Sequence, residues 1–171
     1  TGNGSFTLNQ ATAETAYLPA WGRLSAAYTN GLVRNDSVGS DNSLTHIGRV
    51  SGDLIAPRYN VGATYGVTRG TFDLAPPYWE HTVEGRGGHA LTPTASVIST
   101  VAFTQHEEND GQDFRSGYAR IGGLVALGPG GSLSVQGGPA VFAPRHAQRS
   151  IGPNIEGLWT QRFSTFGVSA G

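Results

Sequence analysis

The stretch SGYARIGGLVALGPGGSLSVQGGPAVFA, residues 116–143, decides the fold class. Ahead of its centre, Ala119, Ile121, Val125 and Leu127 alternate with Tyr118, Arg120 and Gly122. A period of two puts one set on each face of a β-strand, whereas a helix needs apolar residues at i, i+3, i+4 and i+7. Gly128-Pro129-Gly130-Gly131 then reverses the chain. The proline presets φ and the glycines accept positive φ, so residues 132–143 return as the antiparallel partner.

The same rhythm extends outward from this hairpin. In residues 23–32, Leu24, Ala26, Tyr28 and Leu32 oppose Arg23, Ser25, Ala27, Thr29 and Gly31. In residues 47–55, Val50 and Leu54 oppose Arg49, Ser51 and Asp53, and in residues 61–68 Val61, Ala63, Tyr65 and Val67 oppose Gly62, Thr64, Gly66 and Thr68. Residues 95–105 are rich in β-branched side chains, and residues 156–168 form the last candidate strand. Residues 8–18 have some helix propensity but too few apolar positions for an amphipathic stripe. Counting residues 6–18 as the first strand gives an all-β, antiparallel chain of about eight strands. An up-and-down β-barrel is favoured over a β-sandwich or jelly roll.

The segments between are read as loops: 35–42, 75–94, 107–113 and 145–152. The second carries Pro76-Pro77, Gly85, Gly87-Gly88 and Pro93, which predicts a long irregular segment of the kind that often carries function. A chain of 171 residues fits a single domain, here with a flexible N-terminal arm over about residues 1–8. The polar start Thr1-Gly2-Asn3-Gly4-Ser5 and the absence of Met read as a mature terminus left after a leader is cut away. An excerpt of a longer chain has the same appearance.

Composition excludes several classes of function. The net charge is −1 and the eleven basic residues, all Arg, are scattered, which argues against a nucleic-acid partner. There is no Cys, hence no disulfide, thiolate metal site or thiol nucleophile. No run of apolar residues is long enough for a membrane-spanning helix. Charged residues make up only 13% and there are 26 glycines, which suits tight turns and closely approaching strands.

Charges in the middle of strands are the main functional signal. Arg23, Arg49, Arg120 and Arg162 sit inside alternating runs, with Asp53 and Glu156 on matching faces. Such a face is either solvated or lines a barrel interior where Arg–carboxylate pairs and water satisfy it. Glu107, Glu108, Asp110 and Asp113 gather hard oxygen ligands around a Gly turn, so calcium is the one cofactor for which the sequence offers a place. Among the five histidines, His81 and His89 share the 75–94 segment with Glu80 and Glu84, the nearest approach to an enzyme or metal constellation. No catalytic residue is assigned: there is no G-x-S-x-G elbow and no phosphate loop. Tyr17, Trp21, Tyr59, Tyr78, Trp79 and Trp159 fall near strand ends, where they suit a membrane headgroup level or a glycan-stacking edge.

The stretches RLSAAYTNGLV, VGATYGVTRGTF, ARIGGLVALGPGGSLSV and IEGLWTQRFSTF resemble small bacterial outer-membrane β-barrels. The chain departs from that pattern in ending on Val168-Ser169-Ala170-Gly171 rather than on an aromatic residue. The resemblance implies an outer-membrane location, lipid as partner, and a structural or anchoring role without chemical turnover. A secreted or virion β-sandwich, assembling with copies of itself through the arm and strand edges, is the alternative. An enzyme or ligand-binding barrel using the 75–94 loop is a second. The membrane reading requires Leu24, Tyr28, Val50, Leu54, Val61, Tyr65, Val97, Val101, Ile121 and Val125 to form one continuous external belt.

Overall fold

The structure is a computed structural model that describes residues 6–35, 42–109, 112–128, 130–162 and 167–170. It contains β1 (Phe6–Tyr17), β2 (Gly22–Asn35), β3 (Ser43–Ile55), β4 (Tyr59–Phe72), β5 (Tyr78–Thr92), β6 (Ala95–Glu108), β7 (Phe114–Ala126), β8 (Gly131–Pro144), β9 (Ser150–Arg162) and β10 (Gly167–Ala170). They form one antiparallel sheet in the order β1 to β10, each strand bonded to its sequence neighbours. Among the described residues, β1 pairs only with β2 and β10 only with β9. Among the described residues no second layer packs on the sheet and strands adjacent in sequence are adjacent in space, so the sandwich and jelly-roll alternative does not hold.

The all-β, up-and-down expectation is met with ten strands rather than about eight. One added strand comes from splitting the last candidate into β9 and β10. The other is β5, which occupies most of the segment read as a loop. There the even residues Tyr78, Glu80, Thr82, Glu84 and Arg86 alternate with Trp79, His81, Val83, Gly85 and Gly87. Pro76-Pro77 lies before the strand, where a missing N–H costs nothing. The glycines extend the strand because their neighbours' side chains fill the space. Residues 6–8 of the expected arm are the start of β1, paired with residues 33–35. Residues 1–5 lie outside the described residues.

The predicted turn after Leu127 is present. The Leu127 N–H donates to Gly131 O at 2.9 Å, and Gly128 has φ of 106°, a left-handed value that disfavours a side chain. Connections at this end are short: 18–21, 56–58, 93–94 and 127–130. Those at the other end, 36–42, 73–77, 109–113 and 145–149, are longer. Below, these are the turn end and the loop end.

Residues opposite one another in an antiparallel ladder share a face, so the pairing sorts every side chain. Leu24, Tyr28, Val50, Leu54, Val61, Tyr65, Val97, Val101, Ile121 and Val125 all fall on one face. Val83, Phe103, Leu133, Val135, Ile155 and Trp159 join them. No hydrophobic side chain among the described residues is buried. Nine of these ten are 42–64% exposed and Val97 is less so, which leaves about 1 kcal/mol of transfer free energy unrealised at each of the nine, about 9 kcal/mol in all. That is as large as the whole net stability of an ordinary domain.

Candidate functional site

The face opposite the belt carries the charges, beside apolar residues such as Ile47, Ile55 and Leu158, and its chemistry is built from ion pairs that reach across strands. Arg23 on β2 stands opposite Asp53 on β3 in the ladder, and its guanidinium approaches Glu14 on β1 at 3.6 Å. Asp53 is held instead by Arg86, which crosses from β5 over β4 and donates Nη2 at 2.7 Å and Nε at 3.2 Å. The residue under this crossing is Gly62, where a Cβ would lie 2.3 Å from Asp53 Oδ1 and 2.8 Å from Arg86 Nε. Glycine at 62 leaves the room in which this ion pair lies; a side chain there would have to push it aside. Arg49 lies on the same face and makes no ion pair among the described residues. With Glu14, Arg23, Asp53 and Arg86 it lines a hollow of about 310 Å³.

A second cluster repeats the device. Arg120 on β7 crosses β8 to donate to Glu156 and, at 3.3 Å, to Asn154 Oδ1, both on β9. Its other terminal nitrogen meets the Tyr118 hydroxyl at 3.3 Å, and the guanidinium lies 4.4 Å from the Tyr118 ring centroid. Thr100 donates to Gln136 at 3.1 Å between the two clusters. The Arg120 side chain is only 10% exposed while Glu156 is 48% exposed, so the cation is the more committed partner. Arg120 Nε is buried without a partner.

At the loop end of the polar face, rings form a row across five strands: Phe72, Tyr78, His106, Phe114 and Phe142. Successive centroids are 6.0, 5.0, 4.8 and 5.3 Å apart. His106 Nδ1 lies 3.5 Å from Glu80 Oε2. These rings cover one another's faces and so stiffen the rim of the sheet.

The predicted polar-face set is placed as follows. Arg23, Arg49, Asp53, Arg120 and Glu156 share one face, and Arg162 stands opposite Gly167 in the ladder. Arg86, Glu14 and the Glu80–His106 pair were not anticipated. Arg86 and Glu80 were hidden by the loop reading of residues 75–94, although the even-numbered polar residues there carried the signal.

The carboxylates proposed for calcium are spread out. Glu107 and Glu108 are successive strand residues, facing opposite sides, and Asp110 lies outside the described residues. Asp113 accepts from the Glu108 backbone N–H at 2.9 Å and from Arg145 Nη1 at 2.7 Å. Those two contacts, the backbone one foremost, hold its carboxyl below the usual carboxylate range. Among the described residues no three His, Asp or Glu side chains gather as a metal cluster. The 75–94 constellation is corrected: on β5, Glu80 and Glu84 face the polar side while His81 and His89 face the apolar side, so the four do not converge.

The apolar face has its own polar boundary. Tyr28 OH meets His46 Nδ1 at 2.6 Å and Tyr65 OH meets His81 Nδ1 at 2.8 Å, at the loop end. Tyr17, Tyr59 and Trp159 mark the turn end of the same face. From Val61 to Arg69 on β4 is eight steps (69 − 61), about 26 Å along the strand at about 3.3 Å per residue.

No family model and no curated protein sequence matches the chain. Among solved structures it is similar to outer-membrane expressed OmpT of Vibrio cholerae, with 15% identity and a TM-score of 0.64, over 88% of this chain and 55% of that one. It is also similar to in-vitro folded OmpT, an outer membrane protein of Vibrio cholerae, with 12% identity and a TM-score of 0.59, over 86% of this chain and 62% of that one. The chain thus spans little more than half the length of these structures, and the likeness shows the fold: an antiparallel, up-and-down β-barrel wall.

Proposed function

We propose that this chain forms membrane-spanning wall of an outer-membrane β-barrel in a bacterial envelope, with its belt against lipid and its ion-paired face toward the lumen. One observation carries the reading: a ten-stranded meander with a continuous apolar face that no other described residue covers. Three others support it. Strands β1 to β9 have 12 to 15 residues, more than the roughly 9–11 a tilted strand needs to cross a bilayer. The belt is about 26 Å long along the strand, about 20 Å tall at the tilt of about 40° usual in such barrels, and is bordered by aromatic residues at both ends. The connections are short at one end and longer at the other, and the similar structures are described as outer-membrane proteins.

The role that suits this arrangement is structural or anchoring. The polar face is knit by Arg23–Glu14, Arg86–Asp53 and Arg120–Glu156, so its charges neutralise one another rather than being poised for proton transfer. The test is purification in detergent followed by its removal with and without phosphatidylcholine vesicles. The chain is expected to stay folded only with lipid, and to resist protease across β2 to β9 once inserted. A monodisperse, folded protein in detergent-free buffer would overturn the reading and favour assembly with copies of itself.

A further inference from the structure

We propose that the loop-end rim of the apolar face binds phosphate groups of membrane lipids through Arg69 and Arg115, with His46 and His81 beside them. This rests on the lipid-facing reading of the belt. The ladder sets these residues side by side: Asn30 opposite His46, His46 opposite Arg69, His81 opposite Gln105, and Gln105 opposite Arg115. They form a cationic row on the outward face just beyond the apolar band. Arg69 on β4 and Arg115 on β7 are three strand spacings apart, about 14 Å, so the row spans more than one phosphate.

Charge balance separates this row from the two clusters of the polar face, where even the unpaired Arg49 shares its hollow with Glu14 and Asp53. Arg23, Arg86 and Arg120 on the polar face each have a carboxylate. Arg69 and Arg115 are exposed and make no ion pair among the described residues. Two carboxylates stand near Arg115 at this rim, and both are engaged: Glu107 accepts from Gln105 Nε2 at 2.5 Å and Asp113 from Arg145 Nη1 at 2.7 Å. Two guanidinium groups therefore face outward with their donors uncommitted, in the planar geometry that suits phosphate oxygens.

The neighbours fix the height of the row. Arg69 lies 5.1 Å from the Trp79 ring centroid, and an indole at a strand end sits at headgroup level. The Tyr28 and Tyr65 phenols rise from the band to engage Nδ1 of His46 and His81, which leaves Nε2 as the ring nitrogen for a lipid oxygen. The longer connections are at this end, which in outer-membrane barrels is the external side. The ligand is then the phosphate-bearing headgroup of lipids in the external leaflet.

The full chain is folded into phosphatidylcholine vesicles doped with a phosphorylated glycolipid or with the same glycolipid lacking phosphate. Insertion is read by protease protection, and co-purifying lipid by native mass spectrometry. Wild type should retain the phosphorylated lipid selectively. Arg69→Gln with Arg115→Gln should cut retention at least about tenfold, the scale of one lost charge-assisted hydrogen bond. Arg58→Gln, the same change at the turn end, should leave retention as in wild type, and inorganic phosphate should not displace the lipid. Equal retention by the double variant, equal retention of the phosphate-free lipid, or displacement by inorganic phosphate would each overturn the proposal while insertion upheld the membrane reading. Failure of wild type to insert would overturn both.

Discussion

Replacing Val101 by Arg puts a cation at the centre of the belt. Val101 is 55% exposed and stands between Gly85 on β5 and Ala119 on β7, neither of which shields it. Along β6 it is four residues from Val97 and four from Gln105, about 13 Å from each edge of the band. A lipid-facing Arg at mid-depth costs about 2–4 kcal/mol. At about 1.36 kcal/mol per factor of ten, that is a loss of roughly 30- to 900-fold in the folding equilibrium. The control is its neighbour Ala102→Arg, on the other face, opposite Glu84 and Tyr118. There an added cation meets a carboxylate and the lumen, and the cost should stay within about 1 kcal/mol. Urea titration of folding into phosphatidylcholine vesicles reads both. Equal effects of the two variants, or a larger loss for Ala102→Arg, would refute the assignment of faces.

Three further outcomes follow from the polar face and the loop end. Gly62→Ala should destabilise by up to about 1 kcal/mol in the same titration, because its methyl would displace the Asp53–Arg86 pair. Gly152→Ala, on the same face with nothing within 4 Å of the new carbon, should change stability by less than about 0.5 kcal/mol, and equal effects would contradict the packing. A double-mutant cycle on Asp53 and Arg86 should give a coupling of up to about 1 kcal/mol that shrinks with added salt; no coupling at low salt would remove the pair from the account. At the loop end, the lowered Asp113 carboxyl contributes fully above the ordinary aspartate value of about 4, and that contribution is lost as pH falls through its folded value. Asp113→Asn should therefore speed hydrogen exchange at the Glu108 amide at neutral pH, with the difference from wild type vanishing in strong acid. A difference that persists unchanged into acid would show that the charge is not what holds the turn.

Much of the fold was legible because period-two alternation is a local property. Val50 and Leu54 against Arg49 and Asp53, and the turn at Gly128, needed only neighbours in sequence. Strand β5 was not legible in the same way. Its Gly85, Gly87 and Gly88 read as breakers, and only the cross-strand packing explains them: a Cβ at Gly88 would lie 2.2 Å from Asn60 Oδ1. The polar-face site was legible as a set of charges and not as a set of partners. Asp53 is placed by the sequence on one face with nearby Arg49 and given no partner, whereas its partner Arg86 arrives from two strands away across Gly62. Such a contact depends on which positions between are glycine, which alternation does not reveal. The corrected 75–94 constellation failed for the complementary reason: residues close in sequence lie on opposite faces once the segment is a strand.

The central claim is that one face of this sheet touches lipid. The chain contains no Cys, so a single Cys introduced at each position from 97 to 105 of β6 carries a fluorophore at a unique place. With the protein inserted in phosphatidylcholine vesicles, quenching is compared between a nitroxide on the lipid chains and iodide in the water. The lipid quencher should act at Val97, Ser99, Val101 and Phe103 and spare Ile98, Thr100, Ala102 and Thr104, giving a period of two. Quenching by iodide alone along the whole strand, or lipid quenching at the even positions, would contradict the account.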